Sequence, residues 1–189
     1  MKFIRMNQED GESMNWFTLW MIVINTSFWL VCCFGVAYLV RLIPESLYIK
    51  NQWFFKEHPF EKKLYKILRL NKWKDRLPEW GKVWHFEKKN LDKELSLKYV
   101  DQFILETKYS EIGHLGMAVA GFACVLVNPG DYVVMAFSCS IINLFIQMPF
   151  CLIQRYNRPR LLRLKLRLEY QNQKSSDTSR DLNRPVYKV

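Results

Sequence analysis

The 189-residue chain alternates between stretches crowded with charge and stretches that have almost none. From Trp16 to Val40 no residue is charged. From Ile112 to Ile153 the only Asp, Glu, Lys or Arg is Asp131. A hydrocarbon core about 30 Å thick is crossed by roughly 20 apolar residues in helix. The first stretch is long enough to cross once. The second is long enough to cross twice, with a turn at Asn128-Pro129-Gly130-Asp131. The pattern predicts an all-α membrane protein with about three transmembrane helices, at roughly 15–40, 111–128 and 131–153. A cleaved signal peptide does not fit the first run, which exceeds the ~7–15 residues of such an apolar region. Acidic Glu9, Asp10 and Glu12 also precede it, where a basic segment is the rule.

The 41–110 segment between the first two spans is too long for a simple connector. Pro44, Pro59 and Pro78 divide it into short elements. Trp53, Phe54, Phe55, Trp73, Trp80 and Trp84 lie among many lysines, a mixture suited to the headgroup layer. Leu64, Ile67 and Leu68 follow helical spacing with Lys62, Lys63, Lys66 and Arg69 around them. That predicts an amphipathic helix on the membrane surface; packing within a soluble subdomain is the competing reading. From Leu91 a helical pattern resumes without Pro or Gly up to Gly113, so a long helix should start before the membrane and enter it near Ile112. Pro149 should kink the last span by freeing the carbonyl of Phe145. Beyond it, Leu161, Leu162, Leu164, Leu166 and Leu168 interleave with Arg160, Arg163, Lys165 and Arg167 as a basic interfacial helix. The polar run after Tyr170 is expected to be disordered. In domain terms this gives a short external N-terminus (1–14), one membrane domain (15–160) and a basic, then disordered, tail (161–189).

Charge orients these elements. Residues 41–110 hold sixteen basic and ten acidic side chains, and residues 154–189 hold ten and three. Lys and Arg collect on the cytoplasmic side. A cell-membrane protein with its N-terminus outside, the 41–110 loop inside and the C-terminus cytoplasmic follows. The same placement explains the basic charge without nucleic acid and points to membrane lipids as partners. All five cysteines lie in the apolar runs. This speaks against both a disulfide framework and a metal site. No phosphate-binding loop, dinucleotide fingerprint, serine-hydrolase elbow or zinc-protease motif occurs. Homo-oligomerisation stays open.

Two polar clusters fall where spans meet the cytoplasmic side. In Glu106-Thr107-Lys108-Tyr109-Ser110-Glu111-Ile112-Gly113-His114, residues Thr107, Glu111 and His114 share one helix face. Ionisable groups at membrane depth are costly and tend to have a role. A histidine beside a carboxylate is a minimal general-base pair. The second cluster is Gln154-Arg155-Tyr156-Asn157-Arg158-Pro159-Arg160. Glu106 or Glu111 could pair with Arg155 or Arg158, and Asn143 and Gln147, one turn apart, could extend a polar track. The competing readings are arginines that anchor on lipid phosphates and a Glu111 that is half of a structural ion pair.

These two clusters, with Trp73-Lys74-Asp75-Arg76-Leu77-Pro78 and Phe103-Ile104-Leu105-Glu106-Thr107, resemble the glycosyl-4,4′-diaponeurosporenoate acyltransferases of the staphyloxanthin-type carotenoid pathway. The similarity covers roughly residues 20–165. The resemblance implies a membrane-embedded O-acyltransferase that moves a long-chain fatty acyl group to the sugar hydroxyl of a glycosylated carotenoid. His114 would then be the base, with Glu111 orienting it and Glu106 behind. Arg155, Asn157 and Arg158, supported by Thr107 and Tyr156, would bind substrate. No cofactor is implied, and the donor would be acyl-CoA or another activated acyl carrier. A non-catalytic membrane scaffold and a small lipid or ion transporter are the alternatives.

Overall fold

The computed structural model describes residues 2–76, 96–128 and 130–182. Every regular element among them is helical: α1 (Lys2–Leu42), α2 (Glu45–Lys50), α3 (Gln52–Phe55), α4 (Pro59–Ile67), α5 (Leu70–Trp73), α6 (Leu97–Ala120), α7 (Cys124–Val127) and α8 (Val133–Leu182). Three stretches are long and apolar enough to cross a membrane, within Trp16–Leu42, Leu97–Val127 and Gly130–Ser176, as the charge-free runs predict. Pro78, Trp80, Trp84, the helix start expected at Leu91, and Pro129 of the expected turn lie outside the described residues.

Local chemistry explains several boundaries. Ser96 caps α6, its Oγ accepting the Tyr99 amide at 3.2 Å, a common N-cap arrangement. α4 opens with Pro59 at its first position, where the missing N–H costs nothing. α8 continues through Pro149 and Pro159, each of which removes one backbone hydrogen bond. It also runs to Leu182, past Tyr170, where composition predicts disorder. A helix already nucleated extends one residue at a time at little cost, and 171–176 contains neither Pro nor Gly.

The chain divides into two compact units, Met1–Pro44 with Ser110–Cys151, and Glu45–Tyr109 with Leu152–Val189. In the first unit small residues let backbones approach closely, as in membrane helix packing generally. A Cβ at Gly116 would lie 2.8 Å from Val36 Cγ1, and one at Gly121 would lie 2.5 Å from Asn143 Nδ2 and 3.1 Å from the Trp29 ring. Ser140 donates to the Gly121 carbonyl at 2.9 Å. Asn25 and Asn128 exchange hydrogen bonds reciprocally, both at 3.1 Å. Each amide is thereby satisfied without water. The outward faces carry large apolar side chains, among them Trp20, Val31, Leu126, Val134 and Phe145. Such a surface is suited to lipid rather than water.

The Gly121 contact gives a first prediction. Gly121→Ala should lower thermal stability in detergent by about 1–3 kcal/mol, the usual cost of overpacking. Gly35→Ala, with nothing within 4 Å of the added carbon, should leave it unchanged or slightly raised. Fluorescence-detected size exclusion after heating separates the two, and equal melting of both variants would contradict the contact.

In the second unit α6 and α8 pack through Val100, Phe103, Ile104 and Leu161. A second cluster joins Tyr65, Leu70 and Tyr156. α4 turns Glu61 and Tyr65 inward and leaves Phe60 and Ile67 exposed. Its buried side carries Glu61 and Tyr65, while its exposed side mixes Phe60 and Ile67 with Lys62, Lys63 and Lys66, a mixture that suits the headgroup layer.

Candidate functional site

His114 and Glu111 lie on the part of α6 that belongs to the first unit. Glu111 is buried and His114 half-buried. The imidazole stacks on Phe150, with ring centroids 4.7 Å apart and planes 15° from parallel. A chain of side chains on α8 sets the tautomer of its neutral form. A backbone carbonyl can only accept a hydrogen bond, so Asn143 turns its amide nitrogen to the Met117 carbonyl at 3.1 Å. The Asn143 oxygen then accepts from Gln147 Nε2 at 3.2 Å. This leaves Gln147 Oε1 facing His114 Nδ1 at 2.7 Å. An amide oxygen requires a donor at that distance, so Nδ1 carries the proton. In the neutral ring the basic lone pair is therefore on Nε2. The polar track expected from Asn143 and Gln147 is present and reaches His114 across the helices; the direction of its hydrogen bonds was not visible in sequence.

Thr107, Glu106, Arg155, Tyr156, Asn157 and Arg158 belong to the second unit. Arg158 is 2% exposed. Its Nε donates to Thr107 Oγ1 at 3.0 Å, Nη1 to the Phe55 carbonyl at 3.1 Å and Nη2 to the Thr107 carbonyl at 3.1 Å. The guanidinium also sits 4.9 Å from the Phe55 ring centroid. Arg155 places both Nε and Nη2 2.7 Å from Glu61 Oε1. Its remaining donors reach the carbonyls of Phe54 and Lys56 at 3.1 Å. Both arginines thus direct donors at the protein, tying α8 to α3, α4 and α6. Glu106 is buried and Asn157 half-buried.

Glu61 did not stand out in the sequence. Its carboxylate also accepts the Tyr65 hydroxyl at 3.0 Å and the His58 amide at 3.3 Å. Burial, followed by this hydrogen bond, holds the Tyr65 phenol well above the ordinary tyrosine range. The available signal was a lone acid in a lysine-rich helix, three residues after the cap His58 and four before a tyrosine. Among the described residues no group of His, Cys, Asp and Glu could hold a metal ion.

Comparison with known proteins follows the same segments. The family profile described as glycosyl-4,4′-diaponeurosporenoate acyltransferase matches residues 50–167. The protein of that name from Staphylococcus haemolyticus (strain JCSC1435) is 28% identical over 153 residues, covering 76% of this chain and 86% of its own. The one from Staphylococcus aureus (strain MRSA252) is 29% identical over 146 residues, covering 72% and 83%. No solved structure matches the chain significantly.

Proposed function

From the premise that the chain belongs to the glycosyl-4,4′-diaponeurosporenoate acyltransferase family, we propose that it esterifies a sugar hydroxyl of a glycosylated carotenoid with a fatty acyl group inside the membrane. The acceptor and the acyl chain are both lipophilic, and the exposed apolar faces of the spans suit entry from the bilayer. The N-terminus is outside and the basic segments are cytoplasmic, by the Lys and Arg distribution.

His114 Nε2 takes the proton of the acceptor hydroxyl as its oxygen attacks the acyl carbonyl. The new C–O bond forms, the bond from the acyl carbon to its carrier breaks, and the imidazolium returns the proton to the departing carrier. Glu111, buried on the same helix, offsets the positive ring at that stage. Within the second unit Arg155 and Arg158, with Thr107, hold the basic segment in shape. The observation that carries this reading is the Met117–Asn143–Gln147 relay, which leaves the basic nitrogen on the far side of the ring from Gln147.

The relay can be tested directly. Gln147→Leu should slow transfer roughly ten-fold, since a lost hydrogen bond of about 1.5 kcal/mol corresponds to that factor in rate. Gln147→Glu keeps the acceptor and should retain most of the rate. Mass spectrometry of lipid extracts from cells producing each variant reads the acylated product. Equal rates for the leucine and glutamate variants would remove Gln147 from the mechanism.

A further inference from the structure

With Arg155 and Arg158 committed to protein partners, the anion-binding capacity of the second unit lies elsewhere. A cleft of about 520 Å³ in this unit is lined by Lys62, Lys66, Arg69, Lys72, Arg160 and Arg163. One carboxylate, Glu57, shares the lining, and it faces Lys62 at 3.9 Å. Lys66, Arg69, Lys72 and Arg163 have no carboxylate partner among the described residues. Like charges gathered in a concavity repel one another and concentrate anions from solution.

Two aromatic rings back these cations. Tyr65 and Tyr156, both buried, meet edge to face with centroids 5.2 Å apart. The Arg160 guanidinium lies 3.3 Å from the centroid of the Tyr156 ring, and its Nη1 donates to the Tyr156 carbonyl at 2.8 Å. The arginine is held over the ring and is itself exposed. A guanidinium in that position offers a planar, weakly hydrated surface on which a heteroaromatic base can stack. The Tyr156 hydroxyl is the one buried side-chain polar atom without a hydrogen-bond partner among the described residues. A buried hydroxyl of that kind is expected to find a partner, and Tyr156 lines this cleft.

The geometry points to a binding site for a small polyanion that combines phosphates with a heteroaromatic base, the chemistry of a nucleotide-based thioester carrier such as coenzyme A. Phosphates would meet Lys66, Arg69, Lys72 and Arg163, and the base would stack on Arg160. The volume falls within the 300–1,000 Å³ or so usual for small-molecule sites. This inference rests on the reading of the chain as an acyltransferase, and it specifies the donor. Transfer then breaks the acyl C–S bond as the ester C–O bond forms, and the thiol leaves with the proton taken from the acceptor hydroxyl.

The full chain in phosphatidylcholine nanodiscs, titrated with coenzyme A at low ionic strength, tests it. Saturable binding is expected, weakening with salt and by about ten-fold or more in the double variant Lys66→Gln/Arg163→Gln. Both side chains are exposed, so an unchanged melting temperature should confirm that the variant is folded. If it melts early, Lys72→Gln takes its place. Absence of coenzyme A binding overturns the proposal. So does a double variant that binds coenzyme A normally and loses only its association with phosphatidylglycerol vesicles, because the cations would then be lipid contacts. Transfer from an acyl carrier protein thioester without coenzyme A binding rejects this site and leaves the acyltransferase reading standing. Coenzyme A binding with no acyl transfer to a glycosylated carotenoid does the reverse.

Discussion

His114→Gln should reduce acyl transfer by about 10²–10⁴-fold, the usual contribution of a general base, while the protein still inserts and accumulates normally. Glutamine approximates the size of imidazole and can still hydrogen-bond to Gln147, so packing against Phe150 is disturbed little. What it lacks is a basic nitrogen. The loss should appear in kcat more than in KM, because proton removal occurs in the transition state. Quantifying the acylated glycolipid in cells expressing wild type and variant at matched levels is sufficient. A variant with the native rate would rule out His114 as the base and shift attention to Glu111.

Glu61→Ala should produce the largest loss of stability in the second unit. The carboxylate meets Arg155 at 2.7 Å and Tyr65 at 3.0 Å, and the Glu61 side chain is 5% exposed against 16% for Arg155. Removing one member of a largely buried pair leaves the other charge uncompensated, at a cost of about 3–5 kcal/mol. Replacing Glu61 and Arg155 together by Leu and Met should cost less than Glu61→Ala alone, since no charge is then stranded. Thermal melting in detergent gives the ranking. If Glu61→Ala melts within a degree or two of wild type, the pair is incidental. Activity is expected to fall with stability here, in contrast to His114→Gln, where it falls alone.

The spans were legible because charge is excluded from a hydrocarbon core whatever the tertiary fold. His114 and Glu111 stand out in the sequence for the same reason, as ionisable groups leading into an apolar run. Partnerships across the chain were not. Proximity to the membrane boundary directs Arg155 to Glu106 or Glu111 and is silent on Glu61, 94 residues away in sequence, which the guanidinium meets. Nothing in local spacing encodes that meeting. The track from Asn143 and Gln147 toward His114 is expected from their helical spacing and depth, but which atoms donate along it depends on how two helices pack. Leu64, Ile67 and Leu68 had the right period, but Ile67 is 77% exposed and Tyr65 is buried. Periodicity locates an apolar face without saying whether protein or lipid covers it. The left-handed backbone of Arg69, with φ 49°, had no signal at all, because an arginine there costs roughly 1–2 kcal/mol and glycine is the residue that usually marks such a position.

The close approach at Gly116 and Gly121 has a consequence for how such a sequence can diverge. The fit at these points is made by main-chain shape, with Val36, Trp29 and Asn143 against bare glycine. Other positions of α1, among them Trp20, Ile22, Val31 and Leu39, face outward, where one large apolar residue serves as well as another. Mutation can therefore rewrite these outward positions without moving the helix, provided the positions that touch the glycines keep their volume. Divergence should collect on the outward faces, and the glycines and their three contacts should change last.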